Sequence, residues 1–271
     1  MKYSGRPKFE DVTIQVGMVM APRFWKWLKN SFRYDAKRCN GAMVALDYDN
    51  RERWRRNFYD ALIKEVTFPT LDGAAKEPAY MQIKFSVENI KEQGGSRASY
   101  QHPAEQQNKD EWEKQRQWLP SMFTFKVDNF SPDKVETVKI DSFTIKQEVI
   151  NNPVGGLLQA SNEPGRVDFP NLSVTILQRD ADKWMKWWDE FVRAGNHQQS
   201  KQKNGHISFL TREAGNRGIL TGNPLVTLDI YGMGSRGVAP VKHDSKKAEL
   251  QKVKLDLYCE RMDLKPGTGT V

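Results

Sequence analysis

Histidine, cysteine and carboxylate side chains are the residues of this chain that could bind a metal or perform acid–base and nucleophilic chemistry. The four histidines and two cysteines lie far apart, at His102, His197, His206, His243, Cys39 and Cys259. None of the histidines has the ligand spacing to a cysteine or to another histidine, so the sequence predicts no metal site. Two separated thiols are typical of a reducing compartment rather than of a disulfide framework.

A glycine-rich segment, "GMGSRG" at residues 232–237, matches the G-x-G-x-x-G pattern of dinucleotide-binding proteins. In those proteins the pattern follows a strand and opens a helix. Here Pro240 stands where that helix should run, so we interpret the segment as a glycine-rich turn. The sequence contains neither a P-loop nor a nucleophile elbow. It therefore predicts no catalytic residue, no cofactor and no enzyme activity.

Positive charge is concentrated near the start of the chain. The formal net charge is +8, and much of the excess lies between Arg23 and Arg56, including "RERWRR" at residues 51–56. Arginines around a tryptophan could hold phosphates. They could instead line a solvated strand edge or face carboxylates of a neighbouring subunit. Because nothing resembles a groove-reading helix or a known RNA module, a basic nucleic-acid-binding module is the less favoured alternative.

One unit occurs twice in the chain. "FEDVTIQVGMVMAPRFWKWL" at residues 9–28 and "FPNLSVTILQRDADKWMKWW" at 169–188 align 160 positions apart without a gap. The offset grows to 164 between "GAMVAL" and "GHISFL", and we align "IKFSV" from Ile83 with "VKLDL" from Val253 at 170. Loop insertions in a duplicated domain produce such an order-preserving increase, so the sequence predicts a tandem duplication.

Each copy combines strands with one helix. Short segments rich in β-branched residues predict strands. Apolar residues at helical spacing predict one amphipathic helix per copy, through Phe24, Trp27, Leu28 and Phe32 and through Trp184, Trp187, Trp188, Phe191 and Val192. We predict a mainly β fold of two tandem small β-barrel or sandwich domains, each with one flanking amphipathic α-helix.

The copies suggest a division of the chain into a first domain at residues 1–90, a polar linker at 91–120 and a second domain at 121–271. Two strands precede the second copy, whereas only eight residues precede Phe9, so the first domain lacks the equivalent N-terminal strands. An open sheet edge is a template for pairing. We expect a neighbouring chain, or residues 123–150 in exchange, to complete the first sheet by β-augmentation.

This order of segments resembles the tail-tube protein family of contractile phages and contractile injection systems. "GRPKFEDVTIQVGMVMAPRFWKWLKNSF" resembles its opening strand and helix, "LDYDNRERWRRNFYDALIKEVTFP" the strand pair that follows, and "MQIKFSVENI" its last strand. The second copy is similar but more divergent. The resemblance implies a small β-barrel-like domain with a flanking helix, six of which close into a ring. Stacked rings then form a hollow tube inside a sheath, a role that needs no catalytic residue.

A typical tube subunit has one such domain, and this chain has two. Either three chains form a pseudo-sixfold ring, or six chains form two stacked rings. The resemblance implies partners among tube, sheath and baseplate proteins, with DNA or protein cargo in the lumen. We expect a virion or injection-system particle assembled in the cytoplasm, without a membrane anchor. The alternative function is a soluble ring-forming cargo carrier or effector of a secretion system.

Three residues are candidates for a subunit interface. Trp25 and Met185 occupy the same repeat position, and both lie off the apolar stripe of their helix. Each could cover a strand edge of its own domain, or pack against the adjacent domain of a ring. Trp54, flanked by arginines, is a further candidate of the same kind.

Overall fold

The computed structural model describes residues 9–18, 20–33, 35–96, 118–130, 134–135, 137–153, 155, 161–210, 224–242 and 250–267. Most of the predicted linker lies outside these residues. The first repeat, residues 9–95, contains β1 (Val12–Val16), α1 (Pro22–Phe32), β2 (Cys39–Leu46), β3 (Glu52–Phe68), β4 (Leu71–Asp72), β5 (Met81–Ser86) and β6 (Asn89–Gly94). The segment between the repeats contains β7 (Phe123–Val127), β8 (Lys134–Val135), β9 (Thr137–Ile140), β10 (Phe143–Asn152) and β11 (Ser161–Asp168). The second repeat, residues 169–267, contains β12 (Leu172–Leu177), α2 (Ala181–Trp188), β13 (Lys203–Leu210), β14 (Pro224–Pro240), β15 (Lys252–Tyr258) and β16 (Arg261–Pro266).

The described strands form two antiparallel sheets, which confirms the predicted mainly β class. The first sheet has the order β1-β5-β3-β10-β11, with β2 and β6 also paired to β3. The second has the order β4-β9-β12-β15-β14-β13-β7-β8, with β16 also paired to β14. All four pairings within the first repeat recur in the second, because β12, β13, β14, β15 and β16 take the places of β1, β2, β3, β5 and β6.

The strand register corrects the alignment of the last strands. Ile14 lies opposite Ile83, and its equivalent Val174 lies opposite Leu255. Ile83 is therefore equivalent to Leu255, 172 positions further on, and not to Val253 as the sequence alignment had it. Side chains alternate along a strand with a period of two, so a shift of two residues leaves every inward and outward position unchanged. The alternation could not reveal this error.

A β-bulge occurs at the same place in both repeats. Asp60 in β3 and Gly232 in β14 have positive φ angles of 53° and 63°. The backbone N–H of Asp60 donates to Oδ1 of Asn40 (2.8 Å), and that of Gly232 donates to Oδ1 of Asn204 (3.1 Å). The prediction that the glycine-rich segment forms a turn is therefore wrong. The segment lies inside β14, where Gly232 is the residue of the bulge that has the left-handed conformation.

Glycine at the first bulge is expected to stabilise the fold. The left-handed conformation costs a non-glycine residue about 1–2 kcal/mol, which exceeds the roughly 0.5–1 kcal/mol by which glycine favours the unfolded chain. Asp60→Gly should raise the free energy of unfolding by about 0.5–1 kcal/mol in urea titrations. Gly232→Asp should lower it, because a Cβ there would lie 2.6 Å from the Glu260 carboxylate. A loss of stability in Asp60→Gly would contradict the bulge assignment.

The strands between the repeats are shared by both sheets. β7 pairs with β13 and β9 with β12, whereas β10 pairs with β3 of the first repeat. The chain crosses from one sheet to the other at residues 141–142, where the Asp141 N–H donates to the Ser173 carbonyl (3.0 Å) and the Ser142 hydroxyl donates to the Phe68 carbonyl (2.8 Å). A downstream strand of the same chain therefore extends the first sheet. β10 lies after residue 121, where the second domain was predicted to begin, and it is hydrogen-bonded to β3, which lies before it. The domain division stays a prediction.

One contiguous hydrophobic core links the two sheets. Phe68, at the end of β3, is fully buried. Its ring stacks on Phe143 with centroids 4.8 Å apart, and on Phe209 of the second repeat at 5.8 Å. Trp118, which closes the predicted linker, packs edge-on against the same Phe209 at 5.6 Å. Aromatic contacts thus join the repeats at their centre.

No helix in the described part of the chain is long and apolar enough to span a membrane.

Candidate subunit interface

The two helices occupy equivalent places and are anchored by equivalent contacts. The indole N–H of Trp27 donates to the Lys37 carbonyl (3.0 Å), and that of Trp187 to the Lys201 carbonyl (3.3 Å). α2 is extended by a π-helical turn at Asp189–Arg193. Each helix buries an inner tryptophan on its own repeat, Trp27 at 7% exposure and Trp187 at 6%. The duplicated sequence therefore positions both helices in the same way.

A second face of α1 is covered within the chain. Trp25, Leu28 and Phe32 follow each other at intervals of three and four residues and are 1%, 0% and 3% exposed. This spacing places them on one side of the helix. α1 packs on β16 of the second repeat, and Phe32 lines a small cleft with Met262. The helix therefore makes a contact between repeats as well as one within its own repeat.

An ion pair fixes the end of α1 on β16. The Arg33 guanidinium donates to both carboxylate oxygens of Asp263, with Nε 2.9 Å and 3.1 Å from Oδ1 and Oδ2. Asp263 is buried, and these hydrogen bonds raise the pKa of Arg33 above its ordinary value. A two-pronged arginine–carboxylate contact adds orientation as well as energy. It holds α1 at one angle on the neighbouring repeat.

The equivalent face of α2 is exposed. Met185 and Val192, at the positions of Trp25 and Phe32, are 50% and 45% exposed. Trp188, at the position of Leu28, is half-buried, and its indole N–H donates to the Arg236 carbonyl at 3.3 Å. We call Met185, Trp188 and Val192 the outer stripe of α2. It is an apolar helix face whose counterpart in the other repeat is buried.

The surface of β14 and β16 next to α1 has an equivalent in the first repeat, on β3 and β6. On β14 and β16 it carries Asp263, an ion pair between Lys265 and Asp229, and the Arg261 guanidinium 4.5 Å above the Tyr231 ring. On β3 and β6, Lys91 takes the position of Asp263, and a hydrogen bond from Asn57 to Gln93 (3.0 Å) takes that of the ion pair. Asn89 takes the position of Arg261, and the Lys91 ammonium lies 5.6 Å from the centroid of the Tyr59 ring. We call this surface of β3 and β6 the Tyr59 face. Lys91 on it is exposed.

Trp54 lies in β3 away from both helices. It is half-buried opposite Ala45 and Gly94, with the Arg56 guanidinium 4.7 Å from its ring centroid. The arginines around it are paired: Arg53 with Asp47 (2.8 Å), Arg55 with Glu52 (2.8 Å) and Arg56 with Glu92. Carboxylates of the same chain thus offset much of the positive charge of the "RERWRR" segment.

Among the described residues, no group of three or more histidine, cysteine or acidic side chains could hold a metal ion. Cys259 is buried, and burial raises the pKa of its thiol to about 12. A thiol with so high a pKa carries almost no thiolate at neutral pH and is a poor nucleophile. Its role in the structure is therefore packing.

Residues of the first repeat match a known protein-family model. Residues 1–91 match the family model described as "T4-like virus tail tube protein gp19", which is about a third of the 271 residues. The match confirms the resemblance that the sequence predicted. It covers the opening strand, α1 and the strands through β6, the elements that recur in the second repeat.

Solved structures of contractile injection systems give weaker likenesses. One chain of the anti-feeding prophage baseplate has a TM-score of 0.41 and 16% identity, covering 53% of this chain and 91% of its own length. A chain from the anti-feeding prophage cap has a TM-score of 0.41 and 16% identity, with 54% and 88% covered. A chain of an extracellular PVC sheath–tube complex has a TM-score of 0.40 and 14% identity, with 53% and 88% covered. No curated protein matches in sequence.

The structure separates the three residues predicted to lie at a subunit interface. Trp25 is buried, Met185 is exposed on the outer stripe, and Trp54 lies on β3. Their role in assembly stays a prediction. The sequence analysis assigned Trp188 and Val192 to the apolar stripe of the second helix, where the structure leaves Val192 45% exposed, and it did not consider Lys91.

Proposed function

We propose that the chain is a structural component of the inner tube of a phage tail or contractile injection system. The observation that carries the proposal is the match of residues 1–91 to the tail-tube family model. The recurrence of the same strand pairings in the second repeat extends this likeness to most of the described residues. A structural role of this kind requires neither a catalytic residue nor a cofactor.

We further propose that each chain fills two adjacent positions of a six-position ring, so that three chains close it. The contact of α1 with β16, and the pairing of β10 with β3, join the two repeats side by side. Repeating one such contact around an axis generates a closed ring when the rotation closes. Of the two arrangements left open by the sequence, the three-chain ring lets the α1–β16 type of contact recur between chains.

In this function the ring forms or caps a hollow tube and contacts other tube, sheath or baseplate proteins. DNA or protein would pass through its lumen. The protein would then be found in a virion or injection-system particle after assembly in the cytoplasm. A ring that never stacks, even with partner tube proteins present, would favour the alternative of a soluble cargo carrier.

Negative-stain electron microscopy of the purified full-length chain, combined with native mass measurement, tests the proposal. The expected result is ring-shaped particles with three times the chain mass of 31.3 kDa. Rings with six times that mass would keep the tube-type function and overturn the three-chain arrangement. A monomer at all concentrations, alone and with partner tube proteins, would overturn the proposed function.

A further inference from the structure

The contact between the repeats within one chain is a template for a contact between chains. In the template, the outer face of α1 lies on β16 of the second repeat. The second repeat presents an equivalent helix with its outer stripe exposed, and the first repeat presents an equivalent strand surface with Lys91 exposed. The chain therefore exposes one helix face and one strand face that are equivalent to the two faces in contact in the template.

We propose that the outer stripe of α2 docks on the Tyr59 face of a second copy of this chain. This inference rests on the proposed ring and names the surfaces that close it. Met185, Trp188 and Val192 would be covered as Trp25, Leu28 and Phe32 are covered in the template. Burial of such an apolar stripe removes exposed surface that monomeric proteins rarely keep without a function.

Charge at the two surfaces supports this choice of occupant. In the template the ion pair at this contact joins Arg33, at the end of α1, to Asp263 on β16, and Lys29 lies one turn before Arg33. Asp189 stands at the position of Lys29 in the second helix, and Lys91 stands at the position of Asp263 in β6. The carboxylate is therefore on the helix and the cation on the strand, so Asp189 can pair with Lys91 when α2 meets β6.

A contact between α2 of one copy and β6 of the next is head-to-tail, and such a contact forms a ring rather than an isologous dimer.

One charge does not reverse, since Arg193 stands at the position of Arg33. Within the chain Arg193 pairs with Asp189 at 3.2 Å, and its guanidinium lies 5.9 Å from the Trp188 ring centroid. In the proposed contact the Asp189 carboxylate lies between two cations, Arg193 of its own chain and a lysine of the neighbour. A carboxylate can accept hydrogen bonds from both at once.

A charge-exchange experiment on the full chain tests the contact. Asp189→Lys should weaken ring assembly at least about tenfold in the concentration at which rings dissociate, because it leaves only cations facing each other at every chain–chain contact. The double variant, Asp189→Lys with Lys91→Asp, should restore assembly. The measurement is sedimentation velocity across a dilution series, with circular dichroism to show that each variant is folded.

Glu190→Lys is the matched control. Glu190 is the next residue along the helix, is also exposed and undergoes the same change of charge, but it does not lie on the outer stripe. It should leave assembly unchanged. If wild-type chains form three-chain rings and Asp189→Lys assembles as well as Glu190→Lys, or the double variant fails to recover, the docking surface is wrong while the ring stands. Wild-type chains that form no ring would instead remove the proposed function.

Discussion

Replacing Trp25 with alanine is expected to lower the free energy of unfolding by about 3–5 kcal/mol, the cost of removing a large aromatic side chain from a packed core. Trp25 is 1% exposed on the face of α1 that includes Phe32, which lines a cleft with Met262 of the second repeat. Its removal would leave a cavity between α1 and the rest of the chain. Urea titration followed by tryptophan fluorescence and far-ultraviolet circular dichroism would measure the loss.

The repeat supplies an internal control for this substitution. Met185 occupies the same position in α2 but is 50% exposed, so Met185→Ala should change the free energy of unfolding of the monomer by less than about 0.5 kcal/mol. Ring assembly should respond in the opposite order, with Met185→Ala the more harmful of the two at concentrations where the fold is intact. Equal losses of stability in the two variants would contradict the covered and uncovered faces assigned here.

Phe68→Ala should destabilise both repeats together, by about 3–5 kcal/mol. Phe68 belongs to the first repeat, stacks on Phe143 at 4.8 Å, and reaches Phe209 of the second repeat at 5.8 Å. Since one core links the sheets, unfolding should occur as one transition that shifts as a whole. Differential scanning calorimetry would record the transition and its enthalpy.

Tyr80→Ala serves as the control for this prediction, because Tyr80 is an aromatic residue of the first repeat that is 56% exposed. It should move the transition little. Two separate transitions, with only one displaced by Phe68→Ala, would show that the repeats unfold independently. The central aromatic contacts would then not couple them.

The sequence was informative wherever the signal was local. Repeated strand and helix patterns from Phe9 and Phe169 predicted a duplicated, mainly β protein, and the match of residues 1–91 to a tail-tube family model confirms the family resemblance. The helices aligned correctly because their tryptophans are large and differ from their surroundings, and Trp27 and Trp187 make equivalent hydrogen bonds. The closing strands aligned two residues out of register, because alternation repeats every two residues.

Only part of the candidate interface could be predicted from the sequence. Trp25 and Met185 could be recognised as equivalent positions off the inner stripe of their helices. Nothing in their local sequence shows that one is buried while the other is left exposed. Likewise, the alternating pattern of β10 predicts a strand but not that it joins β3 of the other repeat.

The sequence by itself determined the repeated unit and its class of secondary structure, because periodicity along the chain records which side chains avoid water. Only the tertiary structure decided which sheet received β10 and which outer helix face was covered. Those choices depend on contacts between residues distant in the sequence, such as Phe143 with Phe68, 75 positions apart, and Arg33 with Asp263, 230 positions apart. Two copies with nearly the same local pattern therefore have different surroundings.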